Sequence, residues 1–371
     1  MEFLIDMVVI LIASLLSVIL MNRFRLPAVI GLLLAGMIVG PYGLNLIKDS
    51  LAIDVLAELG IILLLFLLGL ELNPKELSAL WGKTLIFALC EISSSFILGL
   101  ISGLALGWSL IEAFILGSIL SISSTAIIGK TIMDEFKLNE SKLIIAILIV
   151  EDLFVVFLLF LMPGLVLKEL NPMQFLFTVL KAAILIVTIF VINRFLMPRL
   201  IDKICHYDIE VEEAGFLLAL TLCLTSAYFS MFLGFSSGLG AFLSGLFLMG
   251  KRAHFIHEKL RAIKDLFIVL FFISMGMLID FSFLRFGKLI FLIILASIIG
   301  KLLGFIIAGC ITGFKNKGYK MGVTMIPRGE FSFIIARTSI NLGIVSSMIF
   351  PIAGAIVLIT SMFGSLIKHL K

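Results

Sequence analysis

The chain has 371 residues, of which 61% are hydrophobic and only 14% are charged. Soluble domains are about 45–50% apolar and ~25% charged, so this composition excludes an ordinary soluble protein. The net charge of +4 is too small to indicate a nucleic-acid partner, and the four cysteines include no C-x-x-C spacing that would predict a metal site.

Apolar runs long enough to cross a bilayer follow one another along the whole chain. A span needs ~20 mostly apolar residues, and fewer where it is short or broken. We therefore predict an all-α polytopic membrane protein with about thirteen transmembrane helices in a single membrane domain, 1–371. The predicted spans are 3–21, 27–40, 53–72, 84–106, 109–133, 141–166, 172–195, 212–233, 236–249, 264–281, 287–312, 319–342 and 345–367.

The distribution of basic residues predicts the orientation in the membrane. An odd number of crossings places the two termini on opposite sides. Of the 28 lysines and arginines, about four fall in loops on the N-terminal side and about twenty on the other side. Because cytoplasmic loops carry the excess of Lys and Arg, we expect a cell-membrane protein with its N-terminus outside and its C-terminus in the cytoplasm.

The order of the spans predicts two inverted repeats of six helices, at 1–166 and 212–367, joined by a linker helix at 172–195. The first helices of the two repeats are seven crossings apart, so the repeats run in opposite directions, as in many secondary transporters. The fourth helix of each repeat carries one central charge, Glu91 in the first and Lys301 in the second.

The fifth helix of each repeat has a centre that weakens a helix. These centres are "SISSTAIIG" (121–129) and "MIPRGEFS" (325–332). Ser and Thr compete for backbone hydrogen bonds, Pro removes a donor, and Gly costs roughly 1 kcal/mol inside a helix. Such breaks are tolerated at membrane depth only where the freed backbone is buried in protein or lines a cavity. We therefore predict two discontinuous helices whose half-helix ends meet inside the membrane.

Two adjacent acids, Glu151 and Asp152, lie in the middle of the apolar run 143–160. A charged side chain there costs roughly 2.5–3.5 kcal/mol, so it indicates a functional site. Neighbouring residues on a helix point about 100° apart, so both acids cannot face one partner. We predict that Asp152 holds a cation or proton while Glu151 pairs with a basic residue such as Lys301. The other ionisable residues expected in the membrane are Glu91, Arg328, Glu330 and Arg337, with Glu71 near a helix end.

Several stretches, in order along almost the whole chain, resemble the second family of monovalent cation:proton antiporters. This family contains bacterial and archaeal sodium/proton antiporters and potassium-efflux systems. The matching stretches include "LPAVIGLLLAGMIVGPYGL" (26–44), "VED" (150–152), "SSGLGAFLSGLFL" (236–248), "GKLLG" (300–304) and "PRGEFSFI" (327–334). The resemblance implies a thirteen-helix fold with a dimerisation domain, hence a homodimer, and a mobile core with two crossed, unwound helices.

The resemblance also implies exchange of a monovalent cation, Na⁺ first, for protons by alternating access. It places Na⁺ or K⁺ at Asp152 and the unwound segments around Ser124–Thr125 and Pro327–Arg328. The predicted ion- and proton-binding residues are Asp152, Glu151, Thr125 and Ser124, and their charge partners are Lys301, Arg328, Glu330, Glu91 and Glu71. No cofactor is expected, and the expected partners are the transported cation, protons and membrane lipid.

Other functions remain as alternatives. A potassium/proton antiporter or potassium-efflux system fits the same residues, whereas the sequence has no Thr-Val-Gly-Tyr-Gly run of the kind that forms a potassium-channel filter. An intramembrane enzyme is disfavoured, because all four histidines lie outside the predicted spans and no Ser–His couple can form there. Electroneutral relatives carry Asn-Asp at the paired position, so the Glu-Asp pair predicts electrogenic exchange.

Overall fold

The computed structural model describes residues 2–24, 26–48, 50–71, 81–125, 127–128, 138–165, 172–197, 199–200, 203, 213–248, 251–281 and 287–369. The principal helices in these ranges are α1 (Glu2–Arg23), α2 (Ala28–Val39), α3 (Ser50–Glu71), α4 (Trp81–Ala105), α5 (Leu110–Ser121), α6 (Leu138–Leu165), α7 (Pro172–Val191), α8 (Glu213–Phe232), α9 (Ser237–Phe247), α10 (Lys251–Met277), α11 (Gly287–Thr312), α12 (Lys315–Thr324), α13 (Glu330–Asn341) and α14 (Ile349–His369). A single π-helical stretch, Ile192–Leu196, continues α7.

The helices have the length and composition of membrane spans. In the described part of the chain, seven are long and apolar enough to cross a bilayer, and five shorter helices are also apolar. Many large apolar side chains, such as Leu15 on α1 and Phe291 on α11, are exposed on the protein surface. Such a surface is unfavourable in water and favourable in lipid, so the fold is that of a polytopic helical membrane protein.

The chain forms two compact units. The first comprises Met1–Asp49, Pro74–Leu158 and Phe272–Lys371, and the second comprises Ser50–Asn73 and Leu159–Phe271. Helix boundaries mostly follow the predicted spans, with one clear difference. Helix α10 begins at Lys251 instead of 264, so the basic stretch before the apolar run is itself helical.

Glycines bring three helices of the first unit into close contact. On α11, a Cβ added at Gly300 would lie 2.7 Å from the Ser95 Cα of α4, and the Gly300 carbonyl accepts a hydrogen bond of 2.7 Å from Ser94. On the other side of α4, a Cβ at Gly99 would lie 2.6 Å from the Gly117 Cα of α5. Since only small residues allow helix backbones to approach so closely, the glycines place α4 between α5 and α11.

Both predicted helix breaks are confirmed in the first unit. Helix α5 ends at Ser121, Ile122 is extended and 122–124 are not helical, while 325–329 separates α12 from α13. The Ser124 N–H donates to the Pro327 carbonyl over 2.8 Å, so the two breaks meet. This bond satisfies backbone groups that the interrupted helices leave free at membrane depth.

The second unit packs through small residues in the same way. A Cβ at Gly240 of α9 would meet the Ser226 carbonyl of α8, and a Cβ at Gly245 would meet the Phe66 carbonyl of α3. The buried Ser237 hydroxyl at the start of α9 donates to Glu58 of α3. These contacts fix α9 against its two neighbours within the unit.

Candidate ion-binding site

Asp152 lies where the first of the two breaks passes α6. Its side chain is 1% exposed, and the Thr125 hydroxyl lies 3.3 Å from Oδ1 and 3.4 Å from Oδ2. Thr125 is the residue at which the chain becomes helical again after the break at 122–124. The pair therefore offers carboxylate and hydroxyl oxygens, which are the ligands that hard cations prefer, inside the first unit.

Glu151 faces a different set of partners, as the 100° rotation between neighbours on a helix requires. It is fully buried, and its Oε2 accepts from the Ser123 N–H over 2.5 Å. Its Oε1 accepts from the Ser123 hydroxyl over 3.2 Å and from Lys301 Nζ over 3.1 Å. The Ser123 hydroxyl also lies 3.0 Å from the Met325 carbonyl, so its single proton is shared between two acceptors. The structure therefore brings Glu151 to the ion pair predicted for it.

Lys301 is a fully buried ammonium whose three donors all have partners. Besides Glu151, it binds Glu91 of α4 and the Ser121 carbonyl, the latter over 2.8 Å. Ser121 is the last residue of α5, where carbonyls lack helical partners and the helix dipole is negative. Lys301 thus closes the end of the first half-helix and joins the carboxylates of two other helices.

Arg328 lies in the second break and is also fully buried. Its Nε donates to the Ser297 hydroxyl over 2.9 Å, its NH2 to the Ser297 carbonyl over 3.0 Å and its NH1 to the Ile122 carbonyl over 3.4 Å. Its backbone N–H donates to the Thr360 hydroxyl over 3.0 Å. Among the described residues these guanidinium partners are neutral oxygens, so the positive charge of Arg328 is held in place without a directly bound acid.

Glu330 and Ser124 are partners of each other across the two breaks. The Ser124 hydroxyl lies 3.5 Å from Glu330 Oε2, and Glu330 is the first residue of α13, where the helix dipole favours an acid. Ser124 therefore contacts Glu330, and its part in ion binding stays a prediction. Glu71 ends α3, and its side chain is outside the described residues.

Sequence reasoning did not single out four polar groups that organise the site. They are the backbone and hydroxyl of Ser123, the carbonyl of Ser121, the side chain of Ser297 and the hydroxyl of Thr360. Ser297 had a signal, because it is an isolated polar residue in a long apolar run, and Thr360 had one as part of the Thr360–Ser361 pair in the last apolar run. Ser121 had none, because its backbone carbonyl acts and its side chain does not.

The fold and this site together define a class of protein. Buried acids and bases that pair inside a helical membrane protein, beside half-helix ends that meet, are the arrangement of secondary ion transporters. The family model described as "Sodium/hydrogen exchanger, transmembrane" matches residues 8–370, and the chain belongs to this family. The class is therefore that of the cation/proton antiporters.

Individual relatives are similar over nearly their whole length. The chain is 30% identical over 372 residues to the Na(+)/H(+)-K(+) antiporter GerN of Bacillus cereus, covering 97% of this chain and 94% of that protein. It is 32% identical over 349 residues to the probable Na(+)/H(+) antiporter GerT of Bacillus cereus, covering 92% of each. The solved structure of the sodium proton antiporter MjNhaP1 from Methanocaldococcus jannaschii matches with a TM-score of 0.71 at 18% identity, covering 100% of this chain and 96% of that one, and shows the same fold.

Proposed function

We propose that this protein exchanges Na⁺ for protons by alternating access and that Asp152 is the residue at which the two ions compete. The observation that carries this proposal is the buried Asp152 carboxylate with the Thr125 hydroxyl beside it, at the meeting point of two helix breaks. A carboxylate at such a depth is costly when it is bare, so it is stabilised by binding either a proton or a cation.

The competition follows from the chemistry of one carboxylate. A proton on Asp152 removes the negative charge that a cation requires, and a bound cation removes the basicity that a proton requires. The Thr125 hydroxyl can donate to the Asp152 carboxylate when no cation is bound, and it can rotate to present its oxygen to a cation when one is bound. One ion therefore leaves when the other binds, which is the requirement for exchange.

Buried charged side chains link the helices that surround Asp152. Glu151 and Lys301 tie α6 to the end of α5, and Arg328 ties the second break to Ser297 of α11. Glu151 and Lys301 neutralise each other, and hydrogen bonds to neutral oxygens hold Arg328, in a membrane interior where isolated charges are expensive. We infer that they form the frame and that Asp152 and Thr125 form the exchangeable part.

We also propose the finer architecture that supports alternating access. The twelve apolar helices found among the described residues, together with the interrupted α12–α13 segment, fit thirteen crossings. The contact of α4 with α11 through Glu91 and Lys301 and the meeting of the two breaks fit two inverted repeats, 1–166 and 212–367. The excess of basic residues in loops on the C-terminal side favours an outside N-terminus, and the family resemblance favours a homodimer.

Potassium is the second candidate for the transported cation. The printed name of GerN includes both Na⁺ and K⁺, and this relative is similar over 97% of the chain. A carboxylate and a hydroxyl can bind either ion, because both are hard monovalent cations. A pH-sensitive dye in proteoliposomes with an imposed proton gradient distinguishes Na⁺/H⁺ exchange from K⁺/H⁺ exchange. We expect Na⁺ to dissipate the gradient at a lower concentration than K⁺, and the reverse order would make potassium the substrate.

Asp152→Asn tests the site directly. The substitution keeps the side-chain volume and removes the titrating charge, so we expect at least about a hundredfold loss of cation-driven proton movement while the protein remains folded. Glu112→Gln is a suitable control, because Glu112 belongs to the capping box of α5 and Gln can also cap. An Asp152→Asn protein with the dye response of the wild type would refute the proposal.

A further inference from the structure

Two acids flank Lys301, and their environments differ. The Oε2 of Glu151 accepts from the Ser123 N–H, and its Oε1 accepts from Lys301 Nζ. A proton on Glu151 would have to displace one of these donors. Both oxygens of Glu151 are therefore already occupied by donors, although its position next to Asp152 placed it among the predicted proton-binding residues.

Glu91 has the opposite surroundings. Its Oε2 binds Lys301, but its fully buried Oε1 has no hydrogen-bond partner among the described residues. Glu91 and Glu151 both bind the single ammonium of Lys301. Two carboxylates that share one cation away from water carry one negative charge in excess, which a proton on either of them removes. The oxygen without a donor is the one on which that proton fits.

The charges that face Glu91 allow both of its protonation states. From α11 it faces the Lys301 ammonium, from α6 the Glu151 carboxylate, and from the second break the electrostatic field of Arg328. With a proton on Glu91, the ion pair of Lys301 and Glu151 is neutral by itself. Without that proton the trio of Glu91, Glu151 and Lys301 carries one negative charge, which Arg328 offsets. The deprotonated state therefore leaves no uncompensated negative charge among these four groups.

We propose that Glu91 is a second proton-binding residue of the exchange cycle, coupled to Asp152 through the Glu151–Lys301 ion pair. The inference rests on the proposed function and adds a second proton to it. When a cation binds at Asp152, its positive charge favours the charged form of Glu91, and the Oε1 proton leaves to water on the open side. When the cation leaves, both carboxyls take up protons. Two protons then move against one cation, so one net charge crosses the membrane in each cycle.

The stoichiometry is measured as the pH gradient that just balances a cation gradient across proteoliposomes clamped at zero membrane potential. For a tenfold Na⁺ gradient, thermodynamic balance requires a gradient of about half a pH unit for two protons and about one unit for one proton. We expect the half-unit value for the wild type and for Glu91→Asp, which keeps an acid. Glu91→Gln keeps the acceptor for Lys301 but cannot release a proton, so we expect it to balance at about one unit.

Each result leads to a defined conclusion. A wild type that exchanges ions but balances at one unit overturns this inference and leaves the proposed function intact, whereas a wild type with no Na⁺ or K⁺ response overturns the proposed function. A shift to one unit in Glu151→Gln with none in Glu91→Gln would make Glu151 the carrier and also overturn the inference. Infrared difference spectra provide a readout that needs no transport. We expect Na⁺ to remove a protonated-carboxyl band from the wild type, and a band of equal size in Glu91→Gln would refute the assignment.

Discussion

Replacing Lys301 with methionine should destabilise the protein, because two buried carboxyl groups lose their shared partner. Lys301, Glu91 and Glu151 are all 0% exposed, so water cannot compensate the carboxylates that remain. Removing one member of a buried ion pair typically costs about 3–5 kcal/mol, and methionine itself fits an apolar site of this size. With an unfolding entropy of about 2 cal/mol/K per residue, this cost lowers the melting temperature by roughly 4–6 °C.

Thermal stability in detergent, followed by the loss of the monodisperse chromatographic peak, measures the effect. Lys48→Met is the matched control, because Lys48 is exposed and such substitutions usually change stability by less than about 0.5 kcal/mol. The double variant Lys301→Met with Glu91→Gln should recover part of the loss, since it removes one of the two uncompensated acids. A single variant as stable as the control, or a double variant less stable than the single, would refute the charge balance described for this site.

Two further predictions concern the meeting point of the helix breaks. Gly329→Ala should lower the free energy of unfolding by about 1–3 kcal/mol, because the added Cβ would lie 2.5 Å from the Ser124 hydroxyl oxygen and 2.8 Å from its Cα. Gly82→Ala is the control in the same melting assay, because a Cβ there would have nothing within 4 Å. Equal melting temperatures of the two variants would contradict the prediction. Thr125→Val keeps the shape and removes a ligand oxygen, so the cation concentration for half-maximal exchange should rise about tenfold, while Thr125→Ser should stay near the wild type. A half-maximal concentration unchanged in Thr125→Val would show that the hydroxyl takes no part in binding.

The sequence predicted the helices and the charged positions well, because both signals are local. A membrane span requires a continuous apolar run, and an acid within that run, such as Asp152, is conspicuous. The breaks near Ser124 and Pro327 were predictable for a similar reason, since Pro, Gly and Ser weaken a helix wherever they occur. These parts of the fold need no knowledge of which helices touch.

The partners of the buried charged residues were harder to predict, because they come from helices that are far apart in the sequence. Glu91 and Lys301 are 210 residues apart, and their contact depends on the close approach of α4 and α11 at Gly300. Hydrophobic periodicity cannot show which face of a helix meets a neighbour when nearly every face is apolar. The sequence therefore gave Glu91 a general role as a charge partner, while the structure shows that it shares one ammonium with Glu151.

The identity of the second acid has a consequence for how cation and proton are coupled. If Glu151 carried the second proton, protonation would weaken its bonds to Lys301 and Ser123 and loosen the break that holds Thr125. A proton on Glu91 changes the charge of the trio but leaves those bonds in place, because Glu91 lies on α4 and has no hydrogen bond to the broken segment among the described residues. The coupling can therefore be electrostatic while the ligand geometry at Asp152 stays constant. In that arrangement, the methylene by which Glu151 is longer than an aspartate lets its carboxylate reach Ser123 and Lys301 together. The second proton site is then Glu91 on α4, and the Glu-Asp pair itself lies on α6.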